Sequence, residues 1–157
     1  MALPISPVTR TIWMATASNF TQLIIDTGPL IAFLQRRDPH HRWVVQQIAR
    51  CTQPMLSCES VLSECLYLLK RHKLDIAPIG ALLRRGALMV PRSPDFALRI
   101  PDLLEKYADL PTSLADCALL ELSEHYPRLP LLTLDSDFRV YRRADRTMVP
   151  LLMPVDG

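Results

Sequence analysis

Long apolar runs are missing from this sequence of 157 residues. Leu23–Leu34 comes nearest, but Asp26 and Pro29 interrupt it well before the roughly 18 to 20 residues that a membrane-spanning helix needs. The first twenty residues also lack the continuous apolar core of a secretory signal peptide. We therefore expect a protein of the cytoplasm, neither anchored in a membrane nor exported.

Glycine is scarce, with only 4 residues, and the sequence has no internal repeat and no low-complexity linker. Its hydrophobic share of 49% and charged share of 22% are typical of a globular chain, and this length suits one domain. We assign residues 22–157 to that domain. Residues 1–21 read as an N-terminal extension, either poorly ordered or preceding an alternative start at Met14.

None of the four cysteines, Cys51, Cys58, Cys65 and Cys117, belongs to a Cys-x-x-Cys pair. The spacing of a zinc site is therefore absent. Cys65 and Cys117 lie in apolar helical runs, so we predict reduced and mostly buried thiols, as in cytoplasmic proteins.

Lysine is also rare, because fifteen of the eighteen basic residues are arginine. Arginine makes bidentate contacts with phosphate, so this bias is compatible with nucleic-acid binding. A GC-rich genome would produce the same bias, and the net charge of +2 is modest.

The order of apolar patterns alternates between strands and helices along the chain. Such alternation predicts a three-layer α/β domain whose sheet is mainly parallel, with about five strands flanked by helices. The predicted strands are 22–26, 54–58, 87–90, 131–135 and 148–152. The predicted helices are 29–34, 41–50, 59–71, 77–85, 93–107 with an interruption at Pro101, 113–125 and 138–142.

Acidic residues stand at the ends of two predicted strands. Asp26 ends the first strand and Asp135 ends the fourth, and ligands of parallel sheets bind beyond the carboxyl ends of the strands. A purely structural interpretation remains open for Asp26, which could cap the following helix. Asp137, two residues after Asp135, could equally belong to a plain turn.

Two further acids lie on predicted helices. Glu64 is surrounded by apolar neighbours, although it could occupy the solvent face of an amphipathic helix. Ser113 and Asp116 have the spacing of a capping box, so Asp116 could serve the helix end, the site, or both. Carboxylates gathered at one edge repel each other unless a cation is present. We therefore infer a site for a hard divalent ion, which could activate water and stabilise charge on a phosphodiester.

These segments together resemble the PIN domain family, and especially the bacterial VapC-type toxins. The resemblance covers about residues 22–152 and depends on four motifs in order. They are Ile-Ile-Asp26-Thr-Gly-Pro, the mid-helix Glu64, Asp-Leu-Pro-Thr-Ser-Leu-Ala-Asp116, and Leu-Thr-Leu-Asp135-Ser-Asp-Phe. The resemblance implies a PIN-like fold, Mg²⁺ or Mn²⁺ as cofactor, endoribonuclease activity, a homodimer and a small inhibitory antitoxin.

The same resemblance implies roles for individual residues. Asp26 and Asp116 would be the principal metal ligands and catalytic residues, and Glu64 and Asp135 would complete the acidic site directly or through water. The supporting residues would be Thr27 beside Asp26, Thr133 orienting the last acidic loop, and Asp137 at a variable position. Asp109 also lies in a matching stretch, where we interpret it as structural.

Five arginines are candidates for contacting the phosphates of an RNA substrate such as tRNA, rRNA or mRNA, although each could simply be solvated. They are Arg36, Arg37, Arg139, Arg142 and Arg143. A second hypothesis is a PIN-like module without catalysis that binds RNA or protein, but such a module would be expected to have lost one of the acids. An aspartyl phosphotransferase is disfavoured. Phosphatases of the haloacid-dehalogenase type need a second aspartate two residues after the first, and the Asp26-Thr-Gly stretch lacks it.

Overall fold

The computed structural model describes residues 20–93 and 95–155. Within them, five parallel strands form one sheet in the order β3-β2-β1-β4-β5, as the sequence predicts for an α/β fold. The strands are β1 (Ile24–Ile25), β2 (Met55–Leu56), β3 (Leu88–Met89), β4 (Leu131–Leu132) and β5 (Leu151–Leu152). The helices are α1 (Thr27–Leu34), α2 (His41–Ile48), α3 (Glu59–Arg71), α4 (Ala77–Arg84), α5 (Phe96–Lys106) and α6 (Leu114–His125).

The central strands β1 and β4 are apolar on both faces. Their four residues are fully buried, which is why each reads as a continuous apolar run without alternation. At the edge, β3 buries Leu88 but leaves Met89 49% exposed. Each strand is shorter than predicted, but backbone hydrogen bonds continue the pairing, for example from Asp26 N to Leu132 O at 3.0 Å.

Helix α5 corrects one prediction, because it runs through Pro101 without interruption. A proline inside a helix loses one hydrogen bond. Packing between α5 and α6 offsets this loss. Leu103 is buried in the core, and Arg99 forms ion pairs with Glu121 and, at 2.7 Å, with Glu124. The predicted start of this helix at Ser93-Pro94 is also wrong: it begins at Phe96, and Pro94 itself is outside the described residues.

The last predicted helix, 138–142, is also wrong in type and position. A short 3-10 turn occupies Ser136–Arg139 instead, and Asp135 caps it by accepting a hydrogen bond from the backbone N–H of Asp137. The burial of Phe138 and Tyr141 explains the apolar spacing that suggested a helix.

The prediction for the N-terminal extension lies mostly outside the described residues, since 1–19 are not among them. Phe20 is buried and carries the guanidinium of Arg50 over its ring at 4.2 Å. The carbonyl of Thr21 accepts hydrogen bonds from Thr52 and Gln53. The packed part of the chain thus already includes residues 20 and 21.

The four cysteines are free thiols, and Cys65 and Cys117 are buried as predicted. Among the helices described, none combines the length and the apolar character needed to cross a bilayer.

Candidate active site

A cavity of about 570 Å³ lies beyond the carboxyl ends of β1 and β4. Along the chain, β2 and β3 extend the sheet to one side of β1, whereas β4 and β5 extend it to the other. The cavity therefore occupies the crevice where the strand order reverses, the usual ligand position in such sheets. The structure brings four predicted site residues together in its wall: Asp26, Glu64, Asp116 and Asp135.

Asp26 is the most enclosed of these acids, with only 7% of its surface exposed. It caps α1, because its Oδ1 accepts the backbone N–H of Thr27 at 2.6 Å, while its Oδ2 accepts the hydroxyl of Thr133 at 2.7 Å. Burial raises the pKa of Asp26 to about 6 against the lowering effect of these hydrogen bonds, and the charges of Asp116 and Glu64 raise it further. Capping and a place in the acidic cavity therefore coincide in this residue.

Thr27 joins two of the acids. Its backbone N–H contacts Asp26, whereas its hydroxyl donates a 2.6 Å hydrogen bond to Oε2 of Glu64. Glu64 projects from the exposed side of α3 toward the start of α1, so the bond crosses between two helices. This contact orients a long side chain that would otherwise have several rotamers.

Thr133 makes the equivalent link on the other side of Asp26. Its side chain is fully buried, and its hydroxyl donates to Asp26 while accepting the backbone N–H of Asp135 at 3.0 Å. Thr133 thus connects Asp26 to the start of the last acidic loop through two hydrogen bonds, and its supporting role stays a prediction. Asp137 follows in the 3-10 turn and is not among the described residues that line the cavity.

Asp116 lies in the first turn of α6 and completes a capping box with Ser113. The backbone N–H of Ser113 donates to Oδ2 of Asp116 at 2.7 Å, and the backbone N–H of Asp116 donates to the Ser113 hydroxyl at 3.1 Å. Burial raises the pKa of Asp116, the hydrogen bonds from Ser113 lower it, and the charges of Asp135 and Glu64 raise it. The pKa values of Asp26 and Asp116 are thus both raised by burial and by neighbouring carboxylates of the cavity.

The atoms in this cavity that could bind a metal ion are carboxylate oxygens, which are the ligands that a hard divalent cation requires. Among residues 20–93 and 95–155, no three His, Cys, Asp or Glu side chains stand at the spacing of a preformed metal site. Both oxygens of Asp26 already accept hydrogen bonds. The donor set nevertheless fits Mg²⁺ or Mn²⁺, because such ions keep several waters and need few direct protein ligands.

The five candidate arginines have different environments. Arg36 and Arg37 are exposed in the loop after α1, and Arg139 is exposed in the 3-10 turn. The Nη1 of Arg142 donates to the backbone carbonyls of residues 139, 140 and 141. Arg143 is only 7% exposed and donates to Ser123 Oγ and to the carbonyl of Pro127, which does not suit the predicted contact with phosphate.

Sequence reasoning missed the apolar part of the cavity wall. Ile31, Leu68 and Leu134 line it together with Pro111. Leu68 follows Glu64 by four residues and Ile31 follows Thr27 by four, so helical spacing could have placed both beside the acids.

The family model of the PIN domain matches residues 23–144. No curated protein matches the chain in sequence. A solved structure with a similar fold is that of VapC20 from Mycobacterium tuberculosis, described as a toxin that cleaves the sarcin–ricin loop. It superposes with a TM-score of 0.66 at 19% identity, over 75% of this chain and 93% of that one. The family model covers most of the chain, and the sequence motifs and the parallel sheet agree with it. The chain therefore belongs to the PIN domain family.

Proposed function

We propose that this protein is a metal-dependent endoribonuclease that hydrolyses RNA phosphodiester bonds. One observation carries the proposal: four carboxylates, those of Asp26, Glu64, Asp116 and Asp135, line a single cavity. Membership of the PIN family supports it, since nucleases of this family generally use divalent metal ions. The RNA-cleaving activity of the structurally similar VapC20 adds to that support.

Asp26 and Asp116 would hold the ion, with Glu64 and Asp135 contributing directly or through water. Bound Mg²⁺ or Mn²⁺ would lower the pKa of a water molecule and stabilise negative charge at the phosphate. The chain supplies orientation: Thr27 fixes Glu64, and Thr133 fixes Asp26 relative to Asp135. The surrounding negative charge would also deter phosphate from approaching unless a cation is bound.

The exposed Arg36, Arg37 and Arg139 would contact the RNA backbone outside the cavity. Arg142 already donates to three backbone carbonyls through Nη1, so it would contribute less. We leave Arg143 out of this set because it is buried.

The experiment is cleavage of total tRNA and rRNA by purified protein with Mg²⁺ or Mn²⁺. The test variant is Asp116→Asn, and Asp109→Asn is the matched control, because Asp109 is an exposed aspartate outside the cavity lining. We expect cleavage by the wild type and by Asp109→Asn, and none by Asp116→Asn or in EDTA. Full activity of a folded Asp116→Asn protein would refute the assignment.

We further propose that the nuclease is the toxin of a toxin–antitoxin pair. In this role it would act in the cytoplasm as a homodimer and be inhibited by a cognate antitoxin. Induced expression in a bacterial host should then arrest growth, whereas Asp116→Asn expressed to the same level should not. Unimpaired growth with abundant active nuclease would contradict the toxin role and leave the nuclease intact.

A further inference from the structure

The two chain segments that carry Asp116 and Asp135 are joined by a group of side chains that are not part of the cavity lining. We call this group the tyrosine clasp and define it as Tyr107, Thr112 and Tyr141. Thr112 precedes Asp116 by four residues, and Tyr141 follows Asp135 by six. The clasp therefore connects the loop before α6 with the chain after the 3-10 turn.

Its hydrogen bonds form two links between these segments. The hydroxyl of Tyr141, which is 1% exposed, donates to Thr112 Oγ1 at 3.2 Å, and the Thr112 hydroxyl donates to the carbonyl of Tyr107 at 3.3 Å. The hydroxyl of Tyr107 accepts the backbone N–H of Arg142 at 2.8 Å and donates to its carbonyl at 3.2 Å.

Ring contacts reinforce these links. The rings of Tyr107 and Tyr141 meet edge to face with centroids 4.9 Å apart, and Phe138 meets Tyr141 in the same way at 5.1 Å. Edge-to-face pairs are favourable and directional, so they define the relative placement of the two segments.

The two segments need such a connection because their acids repel each other. Asp116 and Asp135 line the same cavity, where two like charges repel each other. Burial, and to a smaller extent the charges of nearby aspartates, raise the pKa of Tyr141 to about 12 against the lowering effect of its hydrogen bond with Thr112. Tyr141 thus stays protonated and can donate to Thr112 throughout the pH range in which the protein would be assayed.

We propose that Tyr141 and Thr112 are positioning residues that hold Asp116 and Asp135 at the separation at which both contribute to one cation site. This inference rests on the proposed metal site. It concerns neither direct metal binding nor contact with RNA by the clasp itself. We therefore expect that loss of the clasp lowers the affinity for the cation and has no direct effect on the cleavage step.

The experiment measures the affinity for Mn²⁺ alone by calorimetry, together with thermal unfolding in EDTA and in saturating Mn²⁺. The variants are Tyr141→Phe, which removes one hydroxyl, and Thr112→Val, with Thr112→Ser as the rescue. Tyr126→Phe, at the end of α6 and outside the cavity lining, is the matched control.

One hydrogen bond contributes about fivefold to the folding equilibrium, and this sets the scale for the ordering of the two segments that cation binding would otherwise have to supply. We therefore expect Tyr141→Phe and Thr112→Val each to weaken Mn²⁺ binding roughly three- to tenfold, and the double variant to be little worse than either. Thr112→Ser and Tyr126→Phe should bind as the wild type does. Mn²⁺ should also raise the unfolding temperature less in the two clasp variants than in the wild type.

Folded Tyr141→Phe and Thr112→Val proteins with wild-type Mn²⁺ affinity would overturn the proposal and leave the clasp a purely structural contact. If Tyr141→Phe does not fold, the Val and Ser variants of Thr112 decide the question by themselves. A wild type that binds Mn²⁺ but cleaves no RNA would refute the proposed nuclease activity. The positioning role of the clasp would then be decided by the Mn²⁺ affinities of the variants alone.

Discussion

Neutralising Asp26 should make the metal-free protein more stable while abolishing the proposed nuclease activity. Asp26→Asn preserves the shape of the side chain and removes a buried charge. Burial, Asp116 and Glu64 raise the pKa of Asp26 from 3.8 to about 6. Each pH unit corresponds to about 1.4 kcal/mol, so ionisation of this carboxyl costs the folded state about 3 kcal/mol above pH 6.

The asparagine does not recover all of this energy. Its Oδ1 can still accept the backbone N–H of Thr27, but its NH₂ group would face the hydroxyl of Thr133, which now donates to Asp26. The Thr133 hydroxyl would lose its acceptor, at a cost of about 1 kcal/mol. We therefore expect Asp26→Asn to be about 2 kcal/mol more stable than the wild type at pH 8 in EDTA.

The difference in stability between Asp26→Asn and the wild type should depend on pH. Because the folded state raises the pKa of Asp26, it binds the proton more tightly than the unfolded chain does. The contribution of this proton to stability is complete below about pH 4 and is lost as the pH rises through about 6. The advantage of the variant should therefore develop between pH 4 and 6 and stay constant above 7.

Urea denaturation followed by far-UV circular dichroism at pH 4, 5, 6 and 8, always in EDTA, measures this difference. Saturating Mn²⁺ at pH 8 should reverse it by stabilising only the wild type. A variant that is less stable than the wild type at pH 8 would refute the reasoning, and so would a difference that does not change with pH.

Four further substitutions test single side chains or a pair of them. Ser113→Ala should lower the free energy of unfolding by about 1 kcal/mol because α6 loses its cap, as measured by urea denaturation. Pro101→Ala should raise the free energy of unfolding by up to about 3 kcal/mol in the same assay, because α5 regains a hydrogen bond; a less stable variant would contradict this. Replacing the exposed Arg36 and Arg37 by alanine should weaken RNA binding in EDTA and reduce its salt dependence by about one ion for each arginine that pairs with a phosphate. Arg143→Met should leave that salt dependence unchanged, although it lowers stability by removing buried hydrogen bonds.

The sequence was sufficient to predict the edge of the sheet at which the cavity lies. Asp26 and Asp135 each follow an apolar run, and parallel strands bring such residues to one edge. Helical periodicity alone could not predict that Glu64 and Asp116 lie at the same edge. Each could be explained on its own helix, Glu64 as a solvent-facing residue and Asp116 as part of a capping box. The resemblance to the family grouped them, and the structure shows that Asp116 caps its helix and faces the cavity at once.

Contacts between distant parts of the chain were beyond prediction from one sequence. The Thr133 hydroxyl reaches Asp26 across 107 positions, and nothing in the local pattern identifies that acceptor. Arg143 illustrates the opposite error: an arginine close to two others suggests a surface, yet it is buried against Ser123 and Pro127. Local spacing constrains which face a residue occupies, but tertiary packing decides what covers that face.

The donors that contact Asp26, Glu64 and Asp116 are hydroxyls and backbone amides, which orient a carboxylate without cancelling its charge. The ion pairs found among the described residues join Arg99 and His125 to glutamates of α6, away from the cavity. A lysine or arginine in the cavity would stabilise the metal-free fold but would compete with a cation for the same acids. Neutral hydrogen-bond donors orient the acids but do not compensate their mutual repulsion. The proposed affinity for a cation and the cost of ionising the acids without one would therefore have the same cause. That common cause is why Asp26→Asn should gain stability in EDTA and lose the stabilising response to Mn²⁺.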